Sequence, residues 1–310
     1  MGWTELDIAD QTGTVVVVTG ANSGVGLHAS KALVRHGAHV VMACRDLGRA
    51  QDALAAVSTE GPGRAEIIQL DLADLESVEA FAKELADKHA VVDTLINNAG
   101  VMAGQRQSTA QGFEMQMGTN HLGHFVLTAK LWPLLIAAPA PRVISTSSLA
   151  ARGGNLTPVM DEALLIDPHP YSAFNVYSNT KQATLLFAQE LHRRSEDARA
   201  RVSSIAIHPG ISATNLFTRQ MQSLGLGAFA RVANGAGRVV LQSPKAAAQA
   251  TVRAATDPTI ASGDFVGPGS FGQSRGAPQV LRLYTVGKDP ATAGRLWDLS
   301  EFITGVPFAL

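Results

Sequence analysis

Tyr177 and Lys181 stand four positions apart in a stretch, 171–193, that reads as a helix, so both belong to one face, about 6 Å apart along the axis. A phenol is a weak acid, with an ordinary pKa near 10, and bringing it to neutrality takes roughly 4 kcal/mol of preference for the phenolate. An ammonium about 4 Å away at an effective dielectric near 20 supplies about 4 kcal/mol. The pair therefore reads as a general acid/base couple that moves a proton to or from oxygen. Tyr171 is a rival phenol, but four residues later it meets Asn175 rather than a cation. Just upstream, Ser145-Thr146-Ser147-Ser148 closes an apolar run and offers hydroxyls that could hold a substrate oxygen or satisfy loop backbone.

A second constellation lies near the N-terminus. The run Val15 to Val18 leads into Thr19-Gly20-Ala21-Asn22-Ser23-Gly24-Val25-Gly26. Glycines at the end of a strand allow a tight turn with φ > 0 and the close approach of another body. Where such a turn opens a helix, several N–H groups and the positive end of the helix converge, which suits a diphosphate.

These groups need a scaffold that gathers strand ends. Short β-branched runs at 14–19, 38–43, 65–70, 93–97, 142–146 and 201–207 read as strands. Amphipathic stretches lie between them, such as 77–88 with Val78, Phe81, Ala82 and Leu85 at helical spacing. The alternation predicts an α/β fold, a single doubly wound parallel sheet of Rossmann type with helices on both faces. After Pro209 the pattern fades into glycine-rich stretches at 224–227 and 263–276, with helices expected at 244–255 and 291–302. One domain over 1–310 is expected, with a core over about 12–215 and an extension, 216–310, folding over the substrate side of the sheet.

Composition narrows the classes. Lys plus Arg total 25 against 26 Asp plus Glu, a formal charge of −1 that provides no field for nucleic acid or an anionic membrane. A small-molecule partner is expected instead. The one cysteine, Cys44, cannot form an internal disulfide and fits a reducing cytoplasm. The first ten residues lack the basic and apolar blocks of a secretory signal, and Leu6 stands where myristoylation needs Ser or Thr. The apolar run 131–138 carries Pro133 and falls far short of the roughly 20 residues of a membrane span.

Thr19, Gly20, Gly24 and Gly26 match the TGxxxGxG turn of the short-chain dehydrogenase/reductase family. Asp71, Asn97-Asn98-Ala99-Gly100, Asn120, Ser148, Tyr177 with Lys181, and Pro209-Gly210 follow in the family's order. The likeness spans about 12–215, and its wording resembles the branch of retinol dehydrogenase-like and protochlorophyllide reductase-like proteins.

The resemblance implies that Gly20, Asn22, Ser23, Gly24, Val25 and Gly26 hold the dinucleotide's diphosphate, and that Asp71 and Leu72 meet the adenine. It further implies that Asn98, Ala99 and Gly100 line the cofactor, with Tyr177 and Lys181 touching it, while Pro209, Gly210, Ile211 and Thr214 hold the nicotinamide end. Cys44 occupies the place where a carboxylate would bond a ribose 2′-OH, and Arg45 supplies a cation for a 2′-phosphate, so NADP (NADPH) is expected over NAD. Asp46 beside it pulls the other way.

By the same resemblance, Ser148, with Ser147 as fallback, bonds the substrate oxygen, Tyr177 is the acid/base, Lys181 its partner, and Asn120 relays through water to the lysine. The stretch from 149 to 171, with Pro158, Pro168 and Pro170, is expected as a substrate-side loop. His121 and His124 lack the spacing of a zinc protease site, and no metal is expected there. His208 reads as a loop residue. Apolar residues Leu216, Phe217, Leu224, Leu226 and Phe229 suggest an apolar substrate.

The expected reaction is hydride exchange between NADP(H) and a carbonyl or alcohol carbon, in a cytoplasmic homodimer or homotetramer. The alternatives are an NADPH-dependent double-bond reductase and a dinucleotide-sensing protein without turnover.

Overall fold

The computed structural model describes residues 2–102, 104–211 and 242–310. Eight strands form one sheet in the order β3-β2-β1-β4-β5-β6-β7-β8. They are β1 (Val15–Thr19), β2 (His39–Cys44), β3 (Arg64–Gln69), β4 (Thr94–Asn97), β5 (Arg142–Thr146), β6 (Ser203–Ile207), β7 (Phe265–Ser270) and β8 (Arg275–Leu281). All neighbours pair in parallel except β7 with β8. The chain crosses from β3 to β4 on the far side of β1, so the strand order reverses between β1 and β4, the place where open α/β sheets open a ligand crevice.

Alternating residues of each strand feed two apolar layers. Val17, Val41, Leu95 and Val143 face α3 (Leu75–Lys88), α5 (Gly123–Ile136) and α7 (Ala173–Asp197) through Phe81, Leu85, Phe125, Leu131, Phe187 and Leu191. Val16, Val18, Val40, Met42, Ile96 and Ile144 face α1 (Gly24–Arg35), α2 (Leu47–Ser58) and α8 (Pro244–Thr256). Burial on both faces is why the central strands read as uninterrupted apolar runs.

The six expected strands and the helices at 77–88, 171–193, 244–255 and 291–302 are present with ends shifted by up to four residues. Two expectations are corrected. The glycine-rich stretch 263–276 contains β7 and the start of β8: Phe265 and Val266 pair with Ala206 and Ile207, and the glycines serve close approach. A Cβ on Gly267 would lie 2.4 Å from the His208 ring, and one on Gly269 2.3 Å from the Gln279 side chain. The expected loop 149–171 is mostly irregular but carries two short helical turns and packs inward. After a short 3-10 turn, Leu156, Met160 and Leu165, the last on α6 (Glu162–Ile166), join Phe113, Leu186, Leu296 and Leu299 in a buried cluster.

The final helix, α9 (Pro290–Thr304), packs on α7. Its Trp297 stacks on Phe187 at 5.8 Å, meets Phe125 edge-on at 5.1 Å and lies 4.8 Å from Phe308. Truncating a buried aromatic of this kind costs about 3–5 kcal/mol. Trp297→Ala should lower stability by that amount, read as a reduced urea midpoint at unchanged m-value. A loss below about 1 kcal/mol would show that the cluster does not anchor α7.

Candidate active site

The glycine turn is built as its residue types require. Gly20 and Gly24 have φ of +67° and +56°, which side-chain-bearing residues rarely adopt. A Cβ on Gly26 would lie 2.6 Å from both the Gly20 carbonyl and the Asn98 amide, so only glycine lets α1 start so close to the turn. Ser23 precedes α1 without a side-chain cap bond, leaving the first N–H groups of a 12-residue helix for another acceptor. This end of the sheet therefore fits a diphosphate.

Other expected cofactor residues divide by what their side chains do. Val25 points into an apolar cluster with Ile8 and Ala29, and Leu72 into the main core, so only their backbones and those of the half-buried Asn22 and exposed Ser23 can serve in the turn's manner. The Asn98 side chain donates to the Thr19 carbonyl at 2.7 Å, a structural use. Asp71 Oδ1 accepts from Ala73 N at 3.0 Å, while the cap of α3 is Asp74. Arg45, two-thirds exposed, lies 4.0 Å from Asp71 Oδ2. Asp46 accepts from Arg49 N at 3.0 Å and so caps α2. Cys44 is buried beneath the turn, and burial pushes its thiol up to about 11.

Following Pro209, Gly210 adopts φ +73° and donates to His208 Nδ1 at 3.2 Å, and Ile211 N–H donates to the Ser274 carbonyl at 2.9 Å. His208 is thus more than a loop residue. It is fully buried, and its imidazole holds the turn. Thr214 and the apolar Leu216, Phe217, Leu224, Leu226 and Phe229 lie outside the described residues.

The proton-moving groups converge at the C-terminal ends of β4 and β5. Tyr177, Lys181 and Asn120 are all buried, and the Ser148 hydroxyl is near enough to the Tyr177 phenol to lower its pKa against that burial. Ser147, the fallback, donates instead to the Lys181 carbonyl at 2.7 Å and is spent on holding α7. Lys181 Nζ donates to the Thr146 carbonyl at 2.9 Å and lies 5.7 Å from the Tyr177 ring centroid. A Cβ on Gly100 would sit 3.4 Å from Asn120 Oδ1 and 3.5 Å from Lys181 Nζ, so all three meet at one point. Tyr171 is excluded as the acid by its own partner, since its hydroxyl donates to the buried Glu114 at 3.2 Å.

The electrostatic expectation is corrected. Burial pushes the Tyr177 phenol up to about 12, with the Ser148 bond working against it, and pulls Lys181 down to about 8. Removing both groups from water sets the direction of each shift. Tyr177 is therefore a protonated phenol across the neutral range rather than a pre-formed phenolate.

Asn120 lies in a π-helical turn (Gly118–Leu122), where Gly123 N–H bonds back to the Gly118 carbonyl. Its amide is gripped by Val101, whose N–H donates to Oδ1 at 2.7 Å and whose carbonyl accepts at 2.9 Å. His124 was not singled out as a site residue, yet it ties the site together. Its Nδ1 lies 3.1 Å from the Asn120 carbonyl, which can only accept, so the proton is on Nδ1 and Nε2 accepts from the Thr19 hydroxyl at 3.0 Å. That hydroxyl oxygen in turn accepts from Asn98 N and Ala99 N, each at 2.9 Å. Burial lowers His124 to about 4, keeping it neutral in this role. Its i+4 spacing from Asn120 was the available signal. His121 bonds Ser300 at 2.8 Å.

A family model described as short chain dehydrogenase matches residues 14–159. Retinol dehydrogenase 14 of Mus musculus is 35% identical over 306 residues, covering 95% of this chain and 86% of the relative. The chain belongs to the short-chain dehydrogenase family. Within it, the likeness to retinol dehydrogenases extends to the human members, at 34% identity over 308 residues for Retinol dehydrogenase 14. Among solved structures, an uncharacterized protein from Mycobacterium paratuberculosis is 37% identical, covers 100% of each chain and superposes with a TM-score of 0.80. The chain is thus an oxidoreductase with the family's nucleotide-binding sheet.

Lys181 generates a sign-defined prediction. Its native value of about 8 lies below the ordinary 10.5. Between these values the unfolded chain binds more protons than the native one, so unfolding free energy rises with pH in that window. Compared with Lys181→Met, the wild-type chain should gain on the order of 3 kcal/mol from pH 7.5 to 10.5 in urea titrations. An unchanged difference would mean that the ammonium is not buried at a cost.

Proposed function

We propose that the protein transfers hydride between NADP(H) and the carbonyl or alcohol carbon of an apolar small molecule, with Tyr177 as general acid in the reductive direction. The observation that carries this reading is the meeting of Lys181 and Asn120 beside Gly100, with the Tyr177 ring 5.7 Å from the Lys181 ammonium and Ser148 acting on its phenol. Bound nicotinamide would supply or accept the hydride. Ser148 and Tyr177 hydroxyls would hold the carbonyl oxygen, and Tyr177 would give its proton to the oxygen as negative charge develops there. A phenol with a pKa raised to about 12 remains a far stronger acid than an alcohol, so the transfer runs downhill. Lys181, at about 8, would return the proton to Tyr177 from the Asn120 side. The reverse oxidation uses the same atoms and requires the phenolate, so it gains as pH rises.

NADP over NAD rests on Arg45, which is exposed where a 2′-phosphate would lie, and on Asp46, whose carboxylate is turned to α2. A candidate NAD(P)-dependent gluconate 5-dehydrogenase from Beutenbergia cavernae, 26% identical over 79% of this chain and 90% of that one with a TM-score of 0.60, holds NADP. An apolar substrate is supported by the names of the relatives, since retinol is a long apolar alcohol. We propose cytoplasmic action as a homodimer or homotetramer, on the lone buried thiol of Cys44 and the family resemblance.

Two variants test the assignment in an assay of NADPH consumption with apolar aldehydes and ketones, retinal among them. Tyr177→Phe should lower kcat about 10²–10⁴-fold while NADPH binding persists. Retained turnover would refute the donor. Arg45→Ala should lower kcat/KM for NADPH roughly 10-fold or more with NADH little changed, as expected for loss of a charge-assisted phosphate contact. Equal effects on both cofactors would remove the NADP reading.

A further inference from the structure

At the opposite end of the sheet from Tyr177, three side chains from three elements meet. His39 opens β2, Glu66 lies on β3 and His89 caps the C-terminus of α3. The parallel register sets His39 opposite Arg64 and Val41 opposite Glu66, so His39 and Glu66 share the sheet face that α3 covers. The end of α3 then delivers His89. Both imidazole Nε2 atoms point at one carboxylate oxygen: Glu66 Oε1 is 3.1 Å from His39 and 2.8 Å from His89. The rings are 5.0 Å apart and steeply inclined at 75°, and the three donor atoms lie within 4.8 Å of one another.

We propose that His39, Glu66 and His89 form a binding site for a first-row divalent cation of the Zn²⁺ class. Tetrahedral zinc with bonds of about 2.1 Å holds its ligand atoms about 3.4 Å apart, so the two imidazole-to-carboxylate separations of 3.1 and 2.8 Å would widen by less than about 1 Å while the two imidazole nitrogens, within 4.8 Å of each other, adjust to the same spacing. Two imidazoles and one carboxylate match the borderline preference of that ion, and the partial exposure of all three residues leaves its fourth position to water.

Lys88 does not block the site. Its ammonium lies 3.4 Å from the other oxygen, Glu66 Oε2, and 2.7 Å from Glu84 Oε1. It thus leaves Oε1 to the metal and fixes the carboxylate for one-oxygen ligation, in the manner of an outer-shell partner. Binding replaces the His89–Glu66 hydrogen bond and the His39–Glu66 contact with three metal bonds and requires each ring proton to reside on Nδ1. The bound ion would tie β2, β3 and α3 together far from the reacting groups, as a structural staple.

Tag-free full-length protein titrated calorimetrically with ZnCl₂ is expected to bind one ion per chain. Cobalt(II) should give the visible absorption of a tetrahedral N/O site, a signature that a mere ion-pair cluster cannot produce. Glu66→Gln and His89→Gln should each weaken binding at least 10-fold, whereas Lys88→Met, which keeps all three ligands, should retain it. Should either variant misfold by circular dichroism, His39→Gln at the most exposed ligand replaces it. Absent binding, binding equal in wild type and ligand variants, or a wild type without the cobalt bands would overturn the proposal.

Discussion

The side-chain hydroxyl of Thr19 is the point on which the arrangement of the site depends. It receives the backbone N–H groups of Asn98 and Ala99 from the end of β4 and passes its own proton to His124, which donates to the carbonyl of Asn120. One oxygen thus fixes the end of β1, the end of β4 and the π-helical turn before α5. Thr19, Asn120 and His124 are buried, so their polar groups would be expensive to leave unpaired, and the Thr19 hydroxyl also reaches the Ile96 carbonyl at 3.3 Å. The glycine turn on one side and the Lys181 pocket on the other are positioned through it.

Burial then sets the chemistry. A lysine whose ammonium meets a strand-end carbonyl and a tyrosine buried on the same helix are both shifted toward their neutral forms, which suits the acid role proposed for the phenol. The four-residue spacing does put both groups on one buried helix face, but the phenol's shift runs upward because burial dominates it. Charge attraction can be estimated from spacing alone. The desolvation opposing it depends on what the rest of the chain packs around the pair, which no local stretch of sequence records.

The same division runs through the fold. Strands buried on both faces and a helix such as 77–88, with a clean apolar stripe, were legible because local pattern and tertiary role agree. Strand β7 was not: Gly267, Pro268 and Gly269 weaken its local signal, and only the neighbouring β6, His208 and Gln279 explain why small residues belong there. Stretch 149–171 reads as a loop by its prolines, yet Leu156 and Leu165 find an apolar cluster built partly from α9, more than 120 residues downstream. Within the site, the family pattern favours Ser148 over Ser147, and the two differ in what they hold: Ser147 donates to the backbone of α7, whereas Ser148 accepts from Ala150 N. His124, by contrast, is outside that pattern and emerges only when Thr19 and Asn120 are seen on either side of its ring.

The seating of Trp297 against Phe125 and Phe187 has a temporal consequence. The helix bearing the proton donor is braced by residues near the very end of the chain, so during synthesis the nucleotide half of the sheet can assemble while that helix still lacks its backing. Competence for turnover is then a late event in the life of the nascent polypeptide, governed by contacts of great sequence separation that are slow to close.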